Sequence, residues 1–86
     1  MPLPILNPNV DLAETLRAAI AAAIPTAVVE VAAGSPGHFQ IRVTSEIFKG
    51  RTMLQQQQLV YGAIAHLMTG DGAPVHAIDR LQTVVP

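Results

Sequence analysis

Apolar and polar side chains follow two different periods along this chain, and the longer period comes first. Leu12, Leu16 and Ile20 recur every four residues, the spacing that places side chains on one face of an α-helix. Pro8 suits the first turn of such a helix, and Pro25 cannot continue it. The pattern predicts a first amphipathic helix that ends at about residue 24.

A second helical segment follows Gly50. Thr52 and Gln55 have the spacing of a capping box, in which each side chain binds a free backbone amide of the first turn. Gly70-Asp-Gly72 is expected to stop the helix. The apolar residues predicted to face the core are Met53, Leu59, Val60, Ala63, Ile64, Leu67 and Met68.

Between the helices the period shortens to two. Residues 27–33 are rich in β-branched side chains, and the cluster Gly34-Ser-Pro-Gly37 is typical of a turn. Phe39, Ile41 and Val43 then alternate with polar residues. These segments predict a β-hairpin with one buried face and one solvated face.

A third strand is predicted over residues 75–84, but its alternation is irregular. Ile78 and Leu81 stand three residues apart, which predicts a β-bulge, an edge position or an early end of the strand. Ile47 and Phe48 are expected to anchor the connector before the second helix to the core. The element order predicts a single α+β domain, with both helices on one face of a three-stranded sheet.

Composition narrows the chemistry that this domain can perform. The chain has 86 residues, no cysteine, and a formal charge of −1 with only five Lys and Arg. It therefore supplies no disulfide and no thiolate, and its attraction for nucleic acid is weak. Glu46 and Asp79 are isolated carboxylates, and the sequence has no nucleophile elbow or glycine-rich phosphate loop. We expect a protein that is not an enzyme.

The first eight residues contain three prolines and no positive charge ahead of an apolar run. They match neither a signal peptide nor a membrane span. Their composition predicts that residues 1–8 fray from the folded domain. We expect the protein to be cytoplasmic.

Four stretches of the chain together resemble one known family. They are His38-Phe-Gln-Ile-Arg-Val43, Ser45-Glu-Ile-Phe-Lys-Gly50, Gln58-Leu-Val-Tyr61 and Val75-His-Ala-Ile78, and their order and spacing are similar to those of the BolA-like family. The resemblance implies a fold similar to a type II KH domain. It implies either iron–sulfur cluster trafficking or iron and redox regulation with a monothiol glutaredoxin, or transcriptional regulation by DNA binding.

The resemblance also implies metal-binding roles for two histidines. His76 stands where BolA-like proteins have a histidine that ligates a [2Fe-2S] cluster, of which the glutaredoxin cysteine and a glutathione thiol hold the other side. The family's second ligand comes from the hairpin loop, where this chain has Ser35 and Pro36, neither of which binds iron. Three alternatives follow: His38 supplies the second bond, His76 acts alone with water or partner sulfur, or the complex forms without a stable shared cluster.

Few residues remain for charged contacts to a partner. Many BolA-like proteins carry basic residues with a histidine where this chain has Gln56-Gln-Gln58, and we expect these glutamines to fill a solvated helix face. Arg42, Lys49 and Arg51 form a small predicted basic group around the turn before the helix. They are the expected contacts to an acidic partner, to glutathione or, weakly, to DNA. His66 is expected at the rim of the helix, outside any zinc site.

The prediction from the sequence is thus a non-enzymatic adaptor. It is a monomer alone, forms a heterodimer with a monothiol glutaredoxin, and has a [2Fe-2S] cluster only in that complex with glutathione. The second hypothesis is a DNA-binding transcriptional regulator that uses the turn and the second helix. The third is a structural interaction domain without either activity.

Overall fold

The computed structural model describes residues 8–86, with side chains from Asp11 onward. Its elements follow the predicted order. They are α1 (Pro8–Ala23), β1 (Val28–Ala33), β2 (His38–Thr44), a one-turn 3-10 helix (Glu46–Phe48), α2 (Met53–Met68) and β3 (Ala77–Val84). The predicted fraying of residues 1–8 lies outside the described residues, except at Pro8, the first residue of α1.

The three strands form one sheet in the order β1-β2-β3. β1 and β2 are antiparallel and joined by the hairpin, whereas β2 and β3 are parallel. Parallel neighbours need a crossover connection, which α2 supplies. The starts of β2 and β3 therefore lie at one end of the sheet, and the 3-10 helix and the start of α2 lie at the other end.

β3 contains the predicted irregularity, at an edge of the sheet. Its residues pair with β2 on both sides of Asp79, but Asp79 itself has no partner in β2. This extra residue is a β-bulge, and it allows Ile78 and Leu81, three positions apart, both to pack against the core.

One hydrophobic core lies between the sheet and the two helices. Phe39, Ile41 and Val43 of the central strand are each at most 2% exposed. The other buried members of the core are Leu16, Ile20, Ile24, Phe48, Val60, Ile64 and Val75. Burying side chains of this size contributes about 1.5–3 kcal/mol each. Because α1 and α2 both supply residues to this single cluster, both helices lie on the same face of the sheet, as predicted.

Two apolar residues expected in the core are exposed instead. Ile47 is 40% exposed and Met53 is 59% exposed. Consecutive side chains of a 3-10 helix point about a third of a turn apart, so Phe48 enters the core and its neighbour Ile47 faces outward. Met53 is the first residue of α2, two turns before the buried Val60. The first turn of this helix projects beyond the buried cluster.

The first turn of α2 contains the two hydrogen bonds that the sequence predicts for the start of this helix. The Thr52 hydroxyl accepts from the Gln55 amide at 3.1 Å, and the Gln55 side-chain oxygen accepts from the Thr52 amide at 3.0 Å. These two bonds form the predicted capping box.

Within residues 8–86, no helix has the length and apolar character needed to cross a membrane.

Gln56 has a structural role that the helix pattern did not indicate. Its side-chain amide donates to the carbonyl oxygens of Phe48 at 3.2 Å and Arg51 at 3.0 Å. Its side-chain oxygen accepts from the Thr83 hydroxyl at 2.6 Å. Gln56 thus joins the connector, α2 and β3, and the expectation that it fills a solvated face is wrong, whereas Gln58 is exposed as expected.

Candidate functional site

The hairpin loop meets the start of β3 through the backbone of Gly37. Its carbonyl oxygen accepts from the His76 amide at 2.8 Å and from the Ala77 amide at 3.1 Å. His38, the next residue, pairs with Ala77 across the parallel strands. The fold thereby brings His38 and His76, which are distant in sequence, to the same end of the sheet.

The contact at Gly37 leaves no room for a side chain. Gly37 has a φ of 78°, and a Cβ built there would lie 2.7 Å from both Cγ and Nδ1 of the His76 ring. A left-handed backbone and a blocked Cβ position both require glycine. The imidazole of His76 therefore packs directly against the loop backbone.

The two predicted ligand histidines face each other edge to face. Their ring centroids are 6.5 Å apart and the planes make an angle of 84°. His38 is half-buried and His76 is exposed. Metal–imidazole bonds are about 2 Å long, so two rings on one iron would have closer centres. Joint ligation therefore requires the two rings to move closer together than they lie here.

Asp79 is a third polar residue at this end of the sheet, and the sequence did not single it out for this role. Its Oδ1 lies 3.0 Å from Nδ1 of His38. The two side chains are 37% and 49% exposed. Asp79 is the bulged residue of β3, and bulges commonly re-aim a side chain. The three-residue spacing of Ile78 and Leu81 was the only sign of this bulge in the sequence.

The described residues do not form a complete metal site by themselves. Across residues 8–86 there is no group of three or more His, Cys, Asp or Glu arranged to hold a metal ion. The histidine pair offers two imidazole rings with nitrogen donors, and the His76 ring is exposed. Such a pair suits a metal centre whose remaining ligands come from another molecule.

An open cleft of about 370 Å³ adjoins His76. The loop between α2 and β3 forms it, with Asp71 and Val75 among its lining residues. Val75 is buried and fixes this loop to the core, because its amide also donates to the Leu67 carbonyl oxygen at 3.1 Å. The cleft leaves one side of His76 accessible.

The three predicted basic contacts do not form a single group. Arg42 lies on the sheet face opposite the helices, where its Nε is 3.9 Å from a carboxylate oxygen of Glu30. Lys49 and Arg51 follow the 3-10 helix at the far end of β2. Arg51 also donates its Nε to the Ile47 carbonyl oxygen at 2.9 Å. A seven-residue strand spans about 20 Å, so Lys49 and Arg51 are well separated from the histidine pair.

A family model described as "BolA-like protein" matches residues 18–85 of the chain, which is well over half of it. The chain belongs to the BolA-like family. The matched region contains every residue of the histidine end of the sheet described above.

Solved structures of BolA-like proteins have the same fold. A bolA protein homologue from Coxiella burnetii is 30% identical with a TM-score of 0.69, and the alignment covers 85% of this chain and 88% of that chain. BolA1 from Mus musculus is 28% identical with a TM-score of 0.70, and the alignment covers 100% of this chain and 72% of that chain. The BolA domain of SufE1 from Arabidopsis thaliana has a TM-score of 0.68 at 19% identity, covering 95% and 96%, and shows a likeness of fold alone. No curated protein matches the chain.

Within this BolA-like fold, the remaining polar candidates have other positions. His66 is exposed in the last turn of α2, as predicted. Ser45 is buried, and its hydroxyl accepts from the Ile47 amide at 3.2 Å to cap the 3-10 helix. The histidine end of the sheet is therefore where this BolA-like chain concentrates its potential metal ligands.

Proposed function

We propose that this BolA-like protein is an adaptor that binds a monothiol glutaredoxin and shares a [2Fe-2S] cluster with it, for cluster trafficking or for iron and redox regulation. The observation that supports this most directly is the meeting of His38 and His76 at one open end of the sheet, with ring centroids 6.5 Å apart. The cluster belongs to the complex, so the isolated chain is expected to hold none.

In the proposed complex, the glutaredoxin cysteine and a glutathione thiol would hold one side of the cluster, and His76 would hold the other side, either alone or together with His38. Histidine in place of thiolate raises the potential of such a cluster, and protonation can break its bond to iron. This chain's own residues supply the nitrogen donors and their orientation. The backbone contact at Gly37 keeps the two imidazoles at the same end of the sheet.

The proposed binding surface surrounds the two histidines. It comprises the hairpin loop 34–37, the start of β3 and the cleft beside His76. Arg42 lies four residues along β2 from His38, about 13 Å away. Its guanidinium can pair with a carboxylate of glutathione or of an acidic partner, because its own contact to Glu30 is long, at 3.9 Å. The isolated protein is proposed to be a cytoplasmic monomer.

Anaerobic reconstitution with a monothiol glutaredoxin, glutathione, iron and sulfide tests this proposal. Visible circular dichroism distinguishes a cluster shared in the heterodimer from a cluster in the glutaredoxin homodimer. We expect a heterodimer spectrum with the wild-type chain and its loss with His76→Ala. His66→Ala removes an exposed histidine elsewhere and should leave the spectrum unchanged. A wild-type mixture that keeps the homodimer spectrum would exclude a shared cluster.

DNA binding is the second candidate function, and Lys49 and Arg51 support it. Both are exposed beside the start of α2. Two cations are a small electrostatic footprint, since phosphate contacts supply most of the affinity of DNA-binding proteins. Gln56 adds no phosphate contact, because its side-chain amide is already bonded to two carbonyl oxygens. We therefore rank this candidate below the adaptor.

A further inference from the structure

The contact between His38 and Asp79 indicates how the tautomer and ring orientation of one of the two histidines are set for metal binding. Their side chains approach to 3.0 Å across 41 residues of sequence. Asp79 is the unpaired residue of the β3 bulge, and it lies two positions after Ala77, which pairs with His38.

The chemistry of the two groups fixes which histidine nitrogen carries a proton. An ionised carboxylate has only acceptors, so in this contact Nδ1 of neutral His38 must be the donor. The lone pair of the ring is then on Nε2. A carboxylate that accepts from the other nitrogen of a ligand histidine fixes its tautomer and ring orientation, and it raises the basicity of the ligand.

We propose that Asp79 is a positioning residue, which holds His38 in the Nδ1-protonated tautomer and so presents Nε2 as the second iron-binding atom. This inference rests on the proposed function, since the iron belongs to the shared cluster. It selects one of the three alternatives that the sequence left open, in which His38 supplies the bond that Ser35 and Pro36 of the loop cannot supply.

The two histidines are oriented by different means. The His76 ring lies against the backbone of Gly37, which restricts it by packing. The His38 ring has the Asp79 carboxylate at its Nδ1 and the His76 ring beside it in an edge-to-face contact. Removal of Asp79 should therefore change His38 and leave the packing of His76 in place.

The first test uses the chain alone and needs no cluster. Long-range ¹H–¹⁵N correlation spectra assign the tautomer of each neutral histidine. We expect His38 to be protonated on Nδ1 in the wild type and to shift toward the Nε2-protonated form in Asp79→Ala. Asp79→Asn retains an oxygen acceptor of the same length and should preserve most of the wild-type tautomer. Glu30→Ala, which removes another exposed carboxylate of the sheet, is the control and should have no effect.

The second test measures how long the reconstituted heterodimer retains its cluster. Loss of a carboxylate partner typically weakens metal binding or activity about tenfold to a hundredfold. We expect Asp79→Ala to shorten cluster retention by at least about tenfold and Asp79→Asn to restore much of it. Glu46→Ala, which removes an exposed carboxylate at the other end of the sheet, should match the wild type. His38→Ala combined with Asp79→Ala should be no worse than His38→Ala alone, because Asp79 acts through His38.

The two tests separate the possible failures. An Nε2-protonated His38 in the wild-type chain overturns the role of Asp79, whether or not a heterodimer forms. Normal cluster retention in Asp79→Ala also overturns it, while the adaptor function stands. If the wild-type protein forms no shared cluster, the proposed function fails, and the ligand role of His38 fails with it even where the tautomer is as expected.

Discussion

Gly37 approaches the ring of His76 so closely that a Cβ at residue 37 would lie 2.7 Å from two ring atoms. The same glycine accepts backbone hydrogen bonds from His76 and Ala77 through its carbonyl oxygen. This one residue therefore determines how the hairpin loop and the last strand are joined. It also determines where the exposed imidazole of His76 is held.

Gly37→Ala is expected to destabilise the protein and to displace His76. Gly50 provides a matched control, because it has the same φ of 78° but nothing within 4 Å of its Cβ position. A left-handed alanine costs about 1–2 kcal/mol, which is the whole effect expected at Gly50→Ala. The clash with His76 should add at least about 1 kcal/mol at Gly37→Ala. Denaturant unfolding measures both values, and equal losses would show that the His76 contact is relaxed at little cost.

Gln56→Ala is expected to lower the free energy of unfolding by about 1–3 kcal/mol, because two backbone carbonyls and the Thr83 hydroxyl lose their partner. Gln58→Ala removes an exposed glutamine from the same helix and should change stability by less than about 0.5 kcal/mol. Urea titrations of the two variants compare them directly. Similar stabilities would mean that water replaces Gln56 without loss.

Phe48 and Ile47 are neighbours with opposite environments, and they should differ sharply in a stability measurement. Phe48 is fully buried, so Phe48→Ala should cost about 3–5 kcal/mol. Ile47 is 40% exposed, and Ile47→Ala should cost less than about 1 kcal/mol. Thermal or chemical unfolding gives both numbers. A large loss at Ile47 would place that side chain in the core and contradict the orientation of the 3-10 helix.

DNA binding, if measurable, should have a shallow dependence on salt. Each phosphate neutralised contributes a slope of about −0.9 in a plot of log K against log salt. Lys49 and Arg51 together therefore predict a slope of about −2, which Lys49→Gln with Arg51→Gln should abolish. Arg42→Gln is the control, because Arg42 lies on the opposite face of the sheet. A much steeper slope would require phosphate contacts that this surface does not provide.

The order of the elements and most of the core were predictable from the sequence. Leu16 and Ile20 repeat at helical spacing, and Phe39, Ile41 and Val43 alternate as a half-buried strand does. These patterns are local, because a side chain's periodicity decides which face of its own element it occupies. The capping box at the start of α2 is local for the same reason. The resemblance to the BolA-like family, drawn from four short stretches, is likewise confirmed by the family match over residues 18–85.

The positions of the site residues relative to one another depended on the tertiary structure. The approach of Asp79 to His38 depends on the register between β2 and β3 and on where the extra residue of the bulge falls. Gln56 was indistinguishable from Gln58 by sequence pattern, because its partners lie on the connector and on β3. Arg42 was grouped with Lys49 and Arg51 by proximity in the chain, but strand alternation places Arg42 beside Glu30 on the sheet face opposite the helices. Hydrophobic periodicity determines each element's buried face, whereas contacts between polar side chains of different elements arise only when the whole chain has packed.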